Sequence, residues 1–91
     1  MENNKWVKLY TTDDNQTLVT ISKFTHYIED KNGKLEKEIT YLVQESVTID
    51  GDKLSNNILD VTNLKKAQKV FDDYTITDAV RFVASRTNNK K

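Results

Sequence analysis

His26 is the only histidine in this chain and there is no cysteine, and those two counts decide much of the chemistry open to it. A lone imidazole cannot build a two-histidine metal site. Without thiols there is no thiolate nucleophile, zinc–thiolate cluster or disulfide. His26 falls inside a β-like run, where it reads as a strand residue facing water or a neighbouring side chain. The carboxylates cluster without forming a site. Asp50 and Asp52 flank Gly51, and Asp60 follows. A calcium loop needs oxygen ligands at alternating positions and its glycine later in the loop, whereas here the glycine comes second, as a hairpin turn requires. Asp13-Asp14 lies in a turn cluster, and Asp72-Asp73 closes a helical pattern. Glu36 and Glu38 share one strand face, and paired carboxylates can do acid–base work. That face carries no buried apolar neighbours to raise a carboxyl pKa. Glycine occurs only as Gly33 and Gly51, so no glycine-rich phosphate loop exists. No catalytic residue, metal ligand or cofactor site is legible, and the expectation is a binding protein rather than an enzyme.

The charges supply the candidate surfaces. Formal net charge is zero, but residues 35–60 are acidic and residues 61–91 are basic. Lys65 and Lys69 lie one helical turn apart; with Lys66, Arg81 and Arg86 they form the candidate surface for nucleic acid or an acidic partner, because phosphate contacts need only such groups. The pI of about 6.6 is low for a nucleic-acid-binding domain. The second candidate surface is for protein: Trp6 and Tyr10 on one side of a first strand, with Glu36 and Glu38 on an acidic sheet face. Exposed, the two aromatics would be anchors for a partner; buried, they belong to the core. The expected partner is therefore another protein, or a second copy of the chain through a sheet edge, with nucleic acid as the alternative. Neither helical segment joins a strong apolar face to a dense basic one, so no membrane binding is expected.

These residues must be positioned by a strand-rich front and a helix-prone back. Trp6–Tyr10 alternates and is rich in β-formers. A second strand runs from Thr17 to Ile28. A third runs from Leu35 to Ile49, with apolar residues at most odd positions and polar ones at most even positions, which describes a sheet with one buried and one wet face. Its length predicts a bend or bulge near Glu45. Asn32-Gly33 is a hairpin turn. A two-residue turn there pairs Phe24 with Tyr41, and a bulged turn instead places Ile21 opposite Val43. Asp50-Gly51 is a second such turn, leading into a short fourth strand at Lys53-Leu54. From Thr62, a candidate N-cap, the period becomes helical: Leu64, Ala67, Val70, Phe71 and Tyr74 share one face. Thr75 with Asp78 resembles a capping box and opens a second helix carrying Ile76, Val80 and Val83; even-position alternation from Tyr74 to Ala84 also allows a strand.

With 91 residues, the chain holds one domain and one core. It is strand-rich over 5–54 and helical over 62–86, with polar ends at 1–4 and 87–91 expected to fray. The fold class is α+β: a three- or four-stranded antiparallel meander with two C-terminal helices packed on one face. Absence of cysteine and of an N-terminal apolar run point to a reducing, cytoplasmic setting. Twelve lysines against two arginines, with nine asparagines, suggest AT-rich coding DNA and a bacterial or mobile-element source.

Overall fold

In the computed structural model, which describes residues 2–12 and 15–88, four strands precede two helices. They are β1 (Glu2–Thr12), β2 (Asn15–Glu29), β3 (Leu35–Ile49), β4 (Asp52–Val61), α1 (Leu64–Asp73) and α2 (Ile76–Asn88). The strands form one antiparallel sheet in the order β1-β2-β3-β4, with the helices packed against it, and the fold is α+β. From Ile76 the chain is helical, not extended, with Thr75 just ahead of the helix. Of the ends expected to fray, Met1 and residues 89–91 lie outside the described residues, as do Asp13 and Asp14. Glu2 to Asn4 pair with β2, and Thr87 and Asn88 close α2.

The turns set which faces meet. The β2–β3 connection is the bulged alternative, with Ile21 opposite Val43 and Phe24 opposite Thr40. The Asp30 carboxylate explains the choice. Its Oδ1 accepts from the backbone N–H of Asn32 at 2.8 Å and of Lys34 at 2.9 Å, while Gly33 N–H donates to Asp30 O at 3.1 Å. Gly33 takes φ +79°, completing a type I turn followed by a left-handed residue, the geometry of a three-residue hairpin loop. At the β3–β4 turn, Asp50 (φ 54°) and Gly51 (φ 83°) are both left-handed, and Ile49 pairs with Asp52. That is the two-residue hairpin that the Asp-Gly pair favours.

Three local expectations are corrected. The fourth strand spans ten residues, not two. Its bulge sits on β4 at Ile58, which the register skips between Asn57 and Leu59, so β3 itself passes Glu45 unbroken. The N-cap of α1 is Asn63 rather than Thr62: its side chain accepts from Lys65 N–H at 2.9 Å and Lys66 N–H at 3.3 Å. At the start of α2 the Thr75–Asp78 pair does act as a cap, with Asp78 Oδ2 accepting from Thr75 N–H at 2.8 Å.

The core lies between the helices and one face of the sheet. Val19, Ile21 and Val43 pack with Ala67, Phe71, Tyr74 and Ala79, and Val47 and Ile49 pack with Phe82. Strand β1 fastens the end of α1. Lys8 Nζ donates to the carbonyl of Phe71 at 2.6 Å and lies 4.7 Å from the centre of its ring. Tyr10 Oη donates to Tyr74 O at 3.0 Å. A cation over the last carbonyls of a helix satisfies otherwise orphaned acceptors and complements the helix dipole.

The sheet outruns this core. Pairing of β1 with β2 reaches only Phe24, and pairing of β4 with β3 only Tyr41. Thr25–Glu29 and Leu35–Ile39 therefore continue as a two-stranded arm, about 17 Å long at the usual strand rise. The molecule measures 53 × 26 × 18 Å, and its radius of gyration of 15.9 Å exceeds the ~12 Å expected of a compact domain this size.

Candidate protein-binding surfaces

Along the arm, strand alternation sorts the side chains onto two faces. Tyr27, opposite Lys37, shares a face with Leu35, opposite Glu29. The two are diagonal cross-strand neighbours, close enough for long side chains to touch. Tyr27 is 68% and Leu35 64% exposed, and Ile28, on the other face opposite Glu36, is 48% exposed. Glu38 stands opposite His26. His26 Nε2 lies 3.1 Å from Thr40 Oγ1 and its ring stacks near Phe24 with centres 6.4 Å apart. His26 is thus an exposed strand residue held by side-chain neighbours. Both outer edges of the arm lack a paired strand among the described residues.

A second surface is the sheet face turned away from the helices. Because Trp6, Lys8 and Tyr10 face the helices, alternation sends Val7 and Leu9 to the open side, where they are 58% and 56% exposed. Leu18, Phe24 and Leu42 join them there, half-buried. Thr20 and Ser46 are shadowed among these longer neighbours, which is why they are buried on a face no helix covers.

The third surface is a groove of about 820 Å³ between β4 and α2. Its floor holds Glu45, a buried carboxylate. Glu45 Oε1 accepts from Tyr74 Oη at 2.6 Å and Oε2 from Asn56 Nδ2 at 2.8 Å. Burial, reinforced by the bond to Glu45, pushes the Tyr74 phenol well above its ordinary pKa, so Tyr74 remains a donor. Arg81 and Arg86 line the same groove together with Asp73 and Asp78. Arg86 stacks its guanidinium 5.3 Å from the Phe82 ring.

The basic candidates therefore divide. Arg81 and Arg86 enter a groove of mixed charge, while Lys65, Lys66 and Lys69 are exposed on α1. Lys69 is bonded to Asp73 at 3.1 Å. Trp6 and Tyr10 are half-buried against the helices, and Glu36 and Glu38 are on the arm. Sequence reasoning missed Val7 and Leu9, whose signal was their phase relative to Trp6, and Glu45, whose signal was a carboxylate among the apolar odd positions from Ile39 to Ile49. Among the described residues no group of three or more metal-ligating side chains converges, and no helix is long and apolar enough to cross a membrane. No protein-family model matches this chain, and no curated protein or solved structure matches it.

Proposed function

We propose that this chain is a small non-catalytic binding module, of inhibitor or accessory type, that docks on another protein through the arm formed by the ends of β2 and β3. The observation that carries the reading is the arm itself, projecting beyond its neighbours with Tyr27, Ile28 and Leu35 exposed. A lone two-stranded ribbon is marginally stable, and these side chains add nothing to the core, so folding alone gives no reason for an apolar tip. A partner does. Tyrosine is a favoured anchor, and the unpaired strand edges can add a partner strand. The charged residues between them, including Lys34, Glu36, Lys37 and Glu38, oppose indiscriminate edge pairing.

The test is capture of the partner from the native host with the tagged chain, followed by affinity measurement with Tyr27→Asp/Leu35→Asp. Loss of hot-spot contacts of about 2 kcal/mol weakens binding roughly thirtyfold, with an unchanged far-ultraviolet dichroism spectrum. A partner held equally well by the variant would place the docking surface elsewhere.

The alternative is a nucleic-acid-binding accessory protein using the basic C-terminal third, supported by the exposure of Lys65, Lys66 and Lys69 on α1. Fluorescence anisotropy with labelled single- and double-stranded oligonucleotides separates the readings. Arm docking predicts no binding that survives physiological salt. Salt-resistant binding that weakens, with a flatter salt dependence, in Lys65→Ala/Lys66→Ala/Lys69→Ala would establish the alternative.

A further inference from the structure

The open sheet face is unlike the rest of the molecule. The chain is 31% charged, and a sheet face meant for water normally carries its share. Here the side chains that the pairing sends to the open side of the sheet body, from Val7 across to β4, are, among the residues whose side chains are described, aliphatic, hydroxyl, amide or the aromatic Phe24, and the only charged ones are Lys53 and Asp60. Both are exposed, and both stand on β4. Lys53 is level with Thr48, and Asp60 with Leu42. Between those levels lie two uncharged rows, one containing Leu9 and Leu18 and the next containing Val7 and Thr20. The opposite charges thus flank a central patch of apolar and short side chains, about 20 Å apart at the usual strand rise.

From this arrangement we infer that the open face binds a second copy of this chain, sheet on sheet, about a two-fold axis that lies in the interface, crosses the strands and passes between the Leu9 and Val7 rows. This operation lays β4 over β4 with the ends exchanged. It brings Lys53 of each copy opposite Asp60 of the other, Leu9 over Val7 and Leu18 over Thr20. A two-fold contact must be self-complementary, and this face is: its two charges have opposite sign and lie on either side of the axis. An axis along the strands would instead lay β4 over β1 and leave both charges without an opposite. Sheets stack about 10 Å apart with strands near −30°, a separation that lysine and aspartate side chains bridge together. The short buried side chain of Thr20 leaves room for Leu18 of the facing copy. The covered patch is about 19 by 25 Å, roughly 500 Å² in projection, below the ~800 Å² per partner of a standard interface. The dimer is correspondingly weak, with a dissociation constant on the order of 10–100 μM.

Sedimentation equilibrium of the full chain between about 10 μM and 1 mM, a range set by that affinity estimate, tests this. The expected mass rises with concentration from the 10.6 kDa monomer toward twice that value. Val7→Asp/Leu9→Asp stays monomeric throughout. Lys53→Asp weakens association at least tenfold, and Lys53→Asp/Asp60→Lys restores it; both positions are exposed, so folding is retained and verifiable by dichroism. Tyr27→Asp/Leu35→Asp, which disables the arm, dimerises like wild type, so this dimer and arm docking fail separately. A wild-type chain at monomer mass up to 1 mM overturns the inference. So does a dimer indifferent to Val7→Asp/Leu9→Asp, or one weakened by Lys53→Asp that the double exchange does not restore.

Discussion

Ile21→Ala lowers the stability of this domain by about 2–5 kcal/mol, the usual range for deleting most of a buried isoleucine. Ile21 is fully buried on β2, between Trp6 on β1 and Val43 on β3, beneath the helices. It is the largest of the fully buried side chains, and close packing on every side leaves little room for the cavity to collapse. A chain of this length has roughly 5–14 kcal/mol to lose, so one substitution removes a large share. The corresponding fall in melting temperature is on the order of 10–30 °C. Leu35→Ala deletes a similar side chain from the same sheet, but from the exposed tip, and is expected to change stability by no more than about 0.5 kcal/mol. Urea unfolding of both variants beside wild type is the measurement. The contrast is what matters, because it separates a load-carrying body from an arm kept for contact. Equal losses would mean that the arm belongs to the folding core.

That contrast also shows where the sequence was legible and where it was not. The alternation of β3 from Leu35 to Ile49 correctly identified one strand and its apolar face, but alternation reports phase, not cover. A row of odd-numbered residues is buried only where something lies over it. Helices of 10 and 13 residues span roughly 15–20 Å, against about 50 Å for a 15-residue strand, so Val43 and Val47 are covered and Leu35 is not. The helix lengths were readable from the period, so the uncovered tip was implicit in them. The fourth strand was hidden for another reason. A bulge at Ile58 changes the phase of β4 midway, and Asn56 and Asn57 carry no strand preference. Register at the β2–β3 hairpin hung on one carboxylate, since Asn-Gly fits both loop lengths until Asp30 is seen capping Asn32 and Lys34. For the surfaces the obstacle was phase again. Trp6 and Tyr10 drew attention as aromatics, yet their side of β1 faces the helices, and the less conspicuous Val7 and Leu9 meet solvent.

Glu45 was the one carboxylate in its row, and its bond to Tyr74 gives the domain a sensitivity to alkaline pH. Tyr74 is buried, and its hydroxyl donates to Glu45 Oε1 at 2.6 Å. Burial is the larger cause that holds its proton, followed by the hydrogen bond to Glu45 and then the negative charge of that group. The folded-state pKa is raised above the value of about 10 for an unfolded tyrosine. The stability this supplies is therefore complete below about pH 10 and is lost as pH rises, because the unfolded chain gives up the proton first. The loss steepens toward about 1.4 kcal/mol per pH unit as the unfolded tyrosine ionises. Tyr74→Phe keeps the ring but leaves Glu45 Oε1 without its donor, which costs about 1–3 kcal/mol at pH 7. The variant has no proton to lose at this position. Its stability thus falls less between pH 9 and 11 than that of wild type, and the gap between the two narrows as pH rises. Every other group is common to both proteins and drops out of the comparison. Paired urea melts at pH 7, 9, 10 and 11 decide the point. Parallel stability curves across that range would show that Tyr74 gives up its proton as readily in the folded domain as in the unfolded chain.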